Sequence, residues 1–201
     1  MITDPNTHAV RLDRNLILKG GGQLKYFRDF YPTPEADALY ASLLAETPWE
    51  TNRQTARMVW WAGSFDYAYT GFSHRAAPWT PLLLAIREKV EASVFGRSEG
   101  QFQGVLLNLY RDGRDGVGFH ADDEPMIRKG APIASLSLGA VRKFVLRCQI
   151  DRRERPIEMS LGHGSCLIMG GTLQSHWKHS VPKQPEIEAS RINLTFRQYT
   201  I

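Results

Sequence analysis

The sequence predicts an α+β fold in which N-terminal helices precede a double-sheet jelly roll, that is, a double-stranded β-helix. Two observations lead to this prediction. Helical patterns are confined to the first half of the chain, and short β-rich segments follow one another from residue 102 onward. A run of strands after helices is typical of α+β domains with a closed double-sheet body.

Length and composition are those of one globular domain. The chain has 201 residues, with 42% hydrophobic and 23% charged residues, so residues 1–201 are expected to form a single domain with a sizeable core. The formal net charge is +4. This mild excess is compatible with a polyanionic partner and equally with an ordinary basic protein.

The cellular setting is predicted to be the cytoplasm. There are only two cysteines, Cys148 and Cys166, and both lie in apolar segments that favour buried free thiols over a disulfide framework. The N-terminus does not resemble a signal peptide, and no apolar run reaches the length of a membrane span. We therefore expect no membrane partner, and we expect a monomer.

The first third of the chain contains a lead-in, a strand and two helix starts. Residues 1–22 resemble a loose lead-in that ends in three glycines, and residues 24–27 are predicted to form a short strand. Thr33-Pro34 and Thr80-Pro81 are predicted helix starts, because Thr is a capping residue and Pro suits the first helical position. Gly96 is the predicted terminator of the second helix.

An aromatic-rich stretch, residues 49–79, separates the two predicted helices. Tryptophans and tyrosines in a β-rich protein lie mostly in the core, and that interpretation applies to Trp49, Trp60 and Trp79. Beyond it, seven short β-rich segments, whose ends are often marked by Gly or Pro, are predicted to be strands: residues 102–110, 133–138, 143–150, 157–161, 165–169, 176–181 and 192–199.

His120 and Asp122 form a His-x-Asp pair. On an extended segment two residues that are two positions apart project to the same side, so an imidazole and a carboxylate would lie together. A second His would complete the set of two His and one carboxylate that holds non-haem iron. The alternative is a polar loop, and spacing leaves the third ligand open among His163, His176 and His179.

The last predicted strand alternates polar and apolar residues strictly. Its odd positions are Arg191, Asn193, Thr195 and Arg197. Two arginines on one face repel each other unless an anion lies near them, which indicates a site for a dicarboxylate. Asn108 and Tyr110 share a face of another strand and offer similar donors. The alternatives are a solvent-exposed strand face for the first set and a capped sheet edge for the second.

The chain resembles the AlkB family of Fe(II)/2-oxoglutarate dioxygenases, oxidative demethylases of alkylated nucleic acids. The resemblance extends from residue 53 to residue 199 and rests on five segments: Asn-Leu-Tyr-Arg-Asp-Gly at 108–113, His-Ala-Asp-Asp-Glu at 120–124, Pro-Ile-Ala-Ser-Leu-Ser-Leu-Gly at 132–139, His-Ser-Val-Pro at 179–182 and Arg-Ile-Asn-Leu-Thr-Phe-Arg at 191–197. It implies Fe(II), 2-oxoglutarate and O₂ as cofactor and cosubstrates.

Individual roles follow from the same resemblance. It implies that His120, Asp122 and His179 bind the catalytic iron. It implies that 2-oxoglutarate is surrounded by Asn108, Tyr110, Arg191, Asn193, Thr195 and Arg197, with Arg191 on the distal carboxylate. Residues 49–79 would form a nucleotide-recognition lid. Its Tyr69 would stack on the damaged base, while Glu124 would read the exocyclic amine of that base. Phosphate contacts are expected from Arg53, Arg57, Arg75 and Lys178.

The expected reaction is direct reversal of damage in DNA. Bases of the 1-methyladenine and 3-methylcytosine type would lose their methyl group as formaldehyde, while 2-oxoglutarate and O₂ become succinate and CO₂. Extrusion of the base from the stack costs a few kcal/mol, less for a lesion that cannot pair. Two alternatives remain: an oxygenase on the same scaffold that acts on RNA, a protein or a small molecule, and a cupin-like binding module without catalysis.

Overall fold

A computed structural model describes residues 13–51, 56–69 and 72–200, except for the side chains of residues 68, 69, 72 and 73. Its helices are α1 (Thr33–Glu46), α2 (Pro81–Phe95) and α3 (Leu173–His176). Its strands are β1 (Arg14–Ile17), β2 (Gly22–Phe27), β3 (Glu50–Thr51), β4 (Met58–Gly63), β5 (Tyr67–Tyr69), β6 (Phe72–His74), β7 (Gly104–Tyr110), β8 (Val117–His120), β9 (Ile133–Gly139), β10 (Arg142–Cys148), β11 (Ile157–Leu161), β12 (Ser165–Gly171), β13 (Trp177–Val181) and β14 (Arg191–Arg197).

Two antiparallel sheets form the body of the protein. The larger sheet has the order β1-β2-β12-β9-β14-β7-β4-β3, and the smaller has the order β11-β10-β13-β8. Strands β5 and β6 form a separate hairpin. Apart from the pairs β1–β2, β3–β4 and β10–β11, neighbouring strands in both sheets are not consecutive in the chain, as expected for a jelly roll. The predicted α+β class and double-sheet body are confirmed.

The apolar side chains are divided into layers. Residues such as Leu43 of α1 and Val90 of α2 pack with Leu107 and Leu194 on one face of the large sheet. A second cluster, which includes Leu146, Leu167 and Trp177, fills the space between the two sheets. Strand β14 is buried at all seven positions, so its polar side faces this interior. The alternative of a solvent-exposed polar face is wrong.

Helix α2 begins and ends where the sequence predicts. The Thr80 hydroxyl accepts a hydrogen bond from the Leu83 backbone N–H at 3.2 Å, and Gly96 follows the helix at φ 70°, a conformation that glycine adopts at little cost. In α1, Pro34 lies in the first turn as predicted, but Thr33 is already the first helical residue and the cap position is occupied by Pro32, which makes no side-chain capping bond. Among the described residues, no helix has both the length and the apolar character to cross a membrane.

Two parts of the predicted organisation need correction. The stretch 1–22 is not entirely a loose lead-in, because β1 pairs with β2 at the edge of the large sheet; residues 1–12 lie outside the described residues. The stretch 49–79 is not entirely a lid, because β4 is an integral strand that pairs with β7. Trp49, Trp60 and Trp79 pack against the core, as the core interpretation predicted.

Candidate functional site

Three side chains with metal-binding chemistry converge at the open end of the space between the sheets. His120 ends β8 and pairs in register with His179 of β13, while Asp122 follows two residues after His120. Their donor atoms lie within 4.8 Å of one another, and the two imidazole ring centres are 4.3 Å apart. The His-x-Asp segment therefore meets His179, as the family resemblance implied.

The other two candidate histidines lie elsewhere. The side chain of His176, the last residue of α3, forms a hydrogen bond with the Gly20 carbonyl at 3.0 Å. His163 accepts a hydrogen bond from the Gly139 backbone N–H at 2.8 Å and lies 3.2 Å from a carboxylate oxygen of Asp37. Both histidines have structural partners, and neither belongs to the cluster.

The three side chains are held in states that favour metal binding. Burial lowers the pKa of His179 to about 3, so its imidazole is neutral. Burial alone raises the pKa of the Asp122 carboxyl, but Arg197, His179 and His120 together lower it to about 2. Nδ1 of His120 lies 2.9 Å from the Gly118 carbonyl. A carbonyl only accepts, so Nδ1 donates and Nε2 is left as a lone-pair donor for a metal.

Arg197 contacts the carboxylate of this cluster directly. Its Nη2 atom donates to Oδ1 of Asp122 at 2.7 Å. Its Nη1 atom donates to the Tyr67 hydroxyl at 3.4 Å. Arg197 also lines the cavity beside the cluster, so its predicted place beside the cosubstrate is compatible with a second function in orienting Asp122.

One cavity joins the metal cluster to the predicted dicarboxylate site. On the large sheet, Arg191 lies opposite Tyr110, and Asn193 lies opposite Asn108. The whole predicted set lines this cavity together with the three metal-binding side chains: Asn108, Tyr110, Arg191, Asn193, Thr195 and Arg197, with His120, Asp122 and His179.

Arg191 has the surroundings of an anion-binding residue. It is 1% exposed, its Nη2 atom donates to Ser137 Oγ at 2.9 Å, and the Tyr110 ring centre lies 5.2 Å from its guanidinium carbon. Within the described part of the chain, no carboxylate pairs with it, and its Nε and Nη1 atoms have no hydrogen-bond acceptor. Burial lowers its pKa. A buried cation of this kind is costly unless an anion joins it, so the site fits a carboxylate.

Sequence reasoning missed two serines of this site. Ser135 and Ser137 of β9 alternate with apolar residues, which was the available signal. Ser137 binds Arg191, and Ser135 Oγ accepts a hydrogen bond from Asn193 Nδ2 at 2.8 Å. The sequence alone does not show that β9 lies beside β14, so their role was not visible.

Arg57 is not at the surface, where phosphate contacts were expected. It is 9% exposed, lines the cavity, and donates from Nε to Asn108 Oδ1 at 2.6 Å. The predicted phosphate contact of Arg57 is therefore wrong. Arg75 is exposed, as a phosphate contact requires, whereas Arg53 lies outside the described residues.

Glu124 lies at the rim of the site beside an aromatic pair. Its Oε1 atom accepts a hydrogen bond from the Tyr67 hydroxyl at 3.1 Å, and Tyr67 stacks on Trp61 with ring centres 4.6 Å apart. The Oε2 atom of Glu124 is buried and has no hydrogen-bond partner among the described residues. Tyr67 was not predicted to belong to the site, because Tyr69, two residues later on the same face of the strand, was chosen instead. Tyr69 belongs to β5, but its side chain lies outside the described residues.

The outer face of the small sheet is basic. Lys143, Arg147 and Lys178 are exposed there, and Arg147 lies opposite Lys178 in the strand register. The Arg147 guanidinium lies 4.1 Å from the ring centre of Phe119. Phe119 directly precedes His120, and Lys178 directly precedes His179, so this basic face backs onto the metal cluster.

Comparison with known proteins places this chain among the 2OG-Fe(II) oxygenases. The sequence model of the 2OG-Fe(II) oxygenase superfamily matches residues 23–197. Alpha-ketoglutarate-dependent dioxygenase alkB homolog 3 of Bos taurus is 35% identical over 184 residues, which cover 84% of this chain and 63% of that protein. DNA oxidative demethylase ALKBH2 of Mus musculus is 40% identical over 138 residues, 66% of this chain and 56% of that protein.

The chain thus spans less than two thirds of the length of these relatives. Among solved structures, one titled "The structure of OsALKBH1" superposes with a TM-score of 0.57 at 18% identity, covering 87% of this chain and 97% of that one. At this identity the likeness concerns the fold.

Proposed function

Because the chain belongs to the 2OG-Fe(II) oxygenase superfamily, and within it to the AlkB family, we propose that it is an Fe(II)/2-oxoglutarate-dependent dioxygenase that demethylates N-alkylated bases in DNA. Lesions of the 1-methyladenine and 3-methylcytosine type are the proposed substrates. The methyl group would leave as formaldehyde, with 2-oxoglutarate and O₂ converted to succinate and CO₂.

One observation carries the proposal: the cluster of His120, Asp122 and His179 shares a cavity with Arg191, a buried guanidinium that lacks a carboxylate partner among the described residues. Two imidazoles and one carboxylate suit iron(II) and leave coordination positions open. Bound iron(II) would supply the O₂-dependent oxidation that removes an otherwise unreactive methyl group.

The protein's own residues would bind and orient the reactants. Arg191 would hold the far carboxylate of 2-oxoglutarate, with Tyr110 and Ser137 fixing the guanidinium. The remaining predicted residues of the cavity, Asn108, Asn193, Thr195 and Arg197, would surround the rest of the cosubstrate. Polar groups that are already fixed in place can position a ligand without reorganising when it binds.

Glu124 would recognise the damaged base. Its unpartnered Oε2 atom offers an acceptor for an exocyclic amine, and its negative charge would attract a base made cationic by methylation. Tyr67, which holds Oε1, would keep the carboxylate in place. The stacking role of Tyr69 and the phosphate contact of Arg53 stay predictions.

The basic outer face of the small sheet supports a nucleic-acid partner. Arg147 lies opposite Lys178 across the sheet, and Lys178 directly precedes His179, so a phosphate backbone bound to this face would pass beside the site. Binding of this kind is electrostatic and weakens with salt. The same surface would accept RNA, so the formaldehyde assay with DNA and RNA oligonucleotides must decide between the two substrates.

The remaining parts of the proposal concern organisation and setting. Residues 1–201 would act as one catalytic domain, with the β5–β6 hairpin as the part of the 49–79 stretch that recognises the nucleotide. A cytoplasmic setting is supported by the two buried free thiols, Cys148 and Cys166, which persist in a reducing compartment. The monomeric state stays a prediction.

The decisive test is formaldehyde release from oligonucleotides that carry methylated adenine or cytosine, presented as single-stranded DNA, duplex DNA and RNA. Unmethylated oligonucleotides of the same sequence are the control. We expect formaldehyde and succinate in equal amounts, with Fe(II) required. Succinate without formaldehyde from any methylated nucleic acid would assign the fold to another oxygenase substrate. Absence of both products together with absence of Fe(II) binding would indicate a cupin-like binding module.

A further inference from the structure

A side chain behind the metal cluster contacts the segment that carries Asp122. The Oε1 atom of Gln174, in the short helix α3, accepts a hydrogen bond from the Asp122 backbone N–H at 2.9 Å. Helix α3 leads directly into β13, and Gln174 precedes His179 by five residues. A single amide therefore connects the segments that carry the carboxylate and the second imidazole.

The backbone N–H of Asp122 needs this acceptor because Asp122 does not belong to a strand that would supply one. Strand β8 ends at His120, so Asp122 lies beyond the ladder, although it is only 3% exposed. A buried backbone N–H without an acceptor costs about 1–3 kcal/mol. Gln174 supplies the missing acceptor, and in doing so it determines where the backbone of Asp122 lies.

The amide of Gln174 is oriented by a second contact. Its Nε2 atom donates to the sulfur of Met169, in β12, at 3.8 Å. Met169 is 2% exposed, and the contact with the half-buried Gln174 is partly shielded from water. With Nε2 directed to the sulfur, Oε1 is directed to Asp122, and the amide is held in the orientation that the backbone N–H requires.

Gln174 acts from outside the cosubstrate cavity. It lines a neighbouring cavity of about 320 Å³, whereas the cavity of the metal cluster is lined by Asp122 and Met169 but not by Gln174. Asp122 and Met169 belong to both cavities and form the wall between them. Gln174 thus touches neither the proposed iron nor the proposed cosubstrate.

We propose that Gln174 is a positioning residue for the metal. By tying Asp122 to α3, it sets the separation between the Asp122 carboxylate and the His179 imidazole before the metal binds. The inference rests on the proposed iron site. Residues that orient metal ligands from outside the coordination sphere contribute about 10- to 100-fold to metal affinity, because a site assembled in advance loses less entropy when the metal arrives.

The test is a Co(II) titration of the metal-free protein under anaerobic conditions, followed by the visible absorption of the bound ion. Gln174→Met keeps the length of the side chain and removes the acceptor, so we expect Co(II) affinity to fall about tenfold. Gln174→Glu keeps an acceptor and adds a negative charge near the cation, so its affinity should equal or exceed that of the wild type. Ser175→Ala, an exposed neighbour on the same helix, is the matched control and should bind as the wild type does.

The outcomes separate this inference from the proposed function. Wild-type affinity in Gln174→Met, or an equal loss in Gln174→Glu and Gln174→Met, would overturn the positioning role and leave the iron site intact. Failure of the wild type itself to bind Co(II) would overturn both. If Gln174→Met does not fold, Gln174→Asn, whose shorter amide cannot reach Asp122, replaces it with the same expected loss. A urea titration of each metal-free variant separates changes in metal affinity from changes in stability.

Discussion

The guanidinium of Arg197 and the carboxylate of Asp122 form a buried ion pair, with Nη2 2.7 Å from Oδ1. This contact occupies one carboxylate oxygen. The other, Oδ2, lies 3.9 Å from Nε2 of His179. The strand predicted to bind the cosubstrate therefore also orients the carboxylate of the proposed metal site.

This ion pair should be detectable in the stability of the metal-free protein. Removal of one partner leaves the other charge buried, which costs about 3–5 kcal/mol, so Arg197→Met should lower the free energy of unfolding by that amount. The double variant Arg197→Met/Asp122→Asn should lose less than the sum of the single losses. Urea denaturation in the presence of a chelator measures all three variants. Strictly additive losses would mean that the two side chains do not stabilise each other.

The choice of His179 as metal ligand is tested against its neighbour His176. His179→Ala should abolish Fe(II)-dependent turnover and Co(II) binding, because the cluster loses a ligand. His176→Ala should keep both, because His176 contacts Gly20 and lies outside the cluster. Metal titration and the formaldehyde assay give independent readings. Equal losses in the two variants would contradict the assignment of His179.

The proposed contact between Arg191 and a carboxylate of 2-oxoglutarate can be tested with two substitutions that should raise the KM by different amounts. Arg191→Met should raise the KM for 2-oxoglutarate about 100-fold, since a buried charge-assisted contact contributes about 2–5 kcal/mol. Ser137→Ala removes only the hydrogen bond that orients Arg191 and should raise it about fivefold. Steady-state titration of 2-oxoglutarate compares the variants. An unchanged KM in Arg191→Met would exclude this role.

The basic outer face of the small sheet is tested by charge reversal. Arg147→Glu and Lys178→Glu should each weaken binding of a methylated oligonucleotide, and the loss should shrink as salt rises, because the contacts are electrostatic. The slope of log affinity against log salt should fall by about one for each phosphate-binding side chain that is removed. Arg97→Glu, an exposed residue just after α2, is the control. Equal losses in all three variants would indicate an effect of net charge alone.

Asp115 should contribute to stability in a pH-dependent way. Burial raises the pKa of its carboxyl, but the bidentate contact with Arg111 lowers this pKa by more, so that the net value lies below the ordinary 3.8. A lowered folded-state pKa means that the stabilisation is present above pH 3.8 and is lost as the pH falls through the folded-state value.

Asp115→Asn should therefore destabilise the protein near pH 7 by about 1 kcal/mol, a modest figure because Arg111 is largely exposed. The difference from the wild type should disappear in acid. Thermal unfolding between pH 7 and pH 2 measures this difference. Asp151→Asn, which breaks the exposed pair with Lys19, is the control and should change little at any pH. A constant difference for Asp115→Asn across this range would contradict the charge-based explanation.

Most strands and the polar face of β14 could be predicted from sequence because they depend on local periodicity. Alternation along residues 191–197 places four polar side chains on one face, whatever the neighbouring strands are. Local periodicity did not predict that β1 and β4 are strands of the large sheet. Both have short apolar patterns, and their pairing with distant strands, β1 with β2 and β4 with β7, decides their structure.

By itself, then, the sequence determined which chemistry the chain carries: a His-x-Asp pair, a strand with two arginines on one face, and the residues of an AlkB-type dioxygenase. Only the tertiary structure decided which partners meet. Helix α3 ends at His176, so the strand that follows it carries His179 to His120. Ser137, Tyr67 and Gln174 act on residues far away in the chain, and such contacts follow from the packing of sheets and helices, which no local pattern encodes.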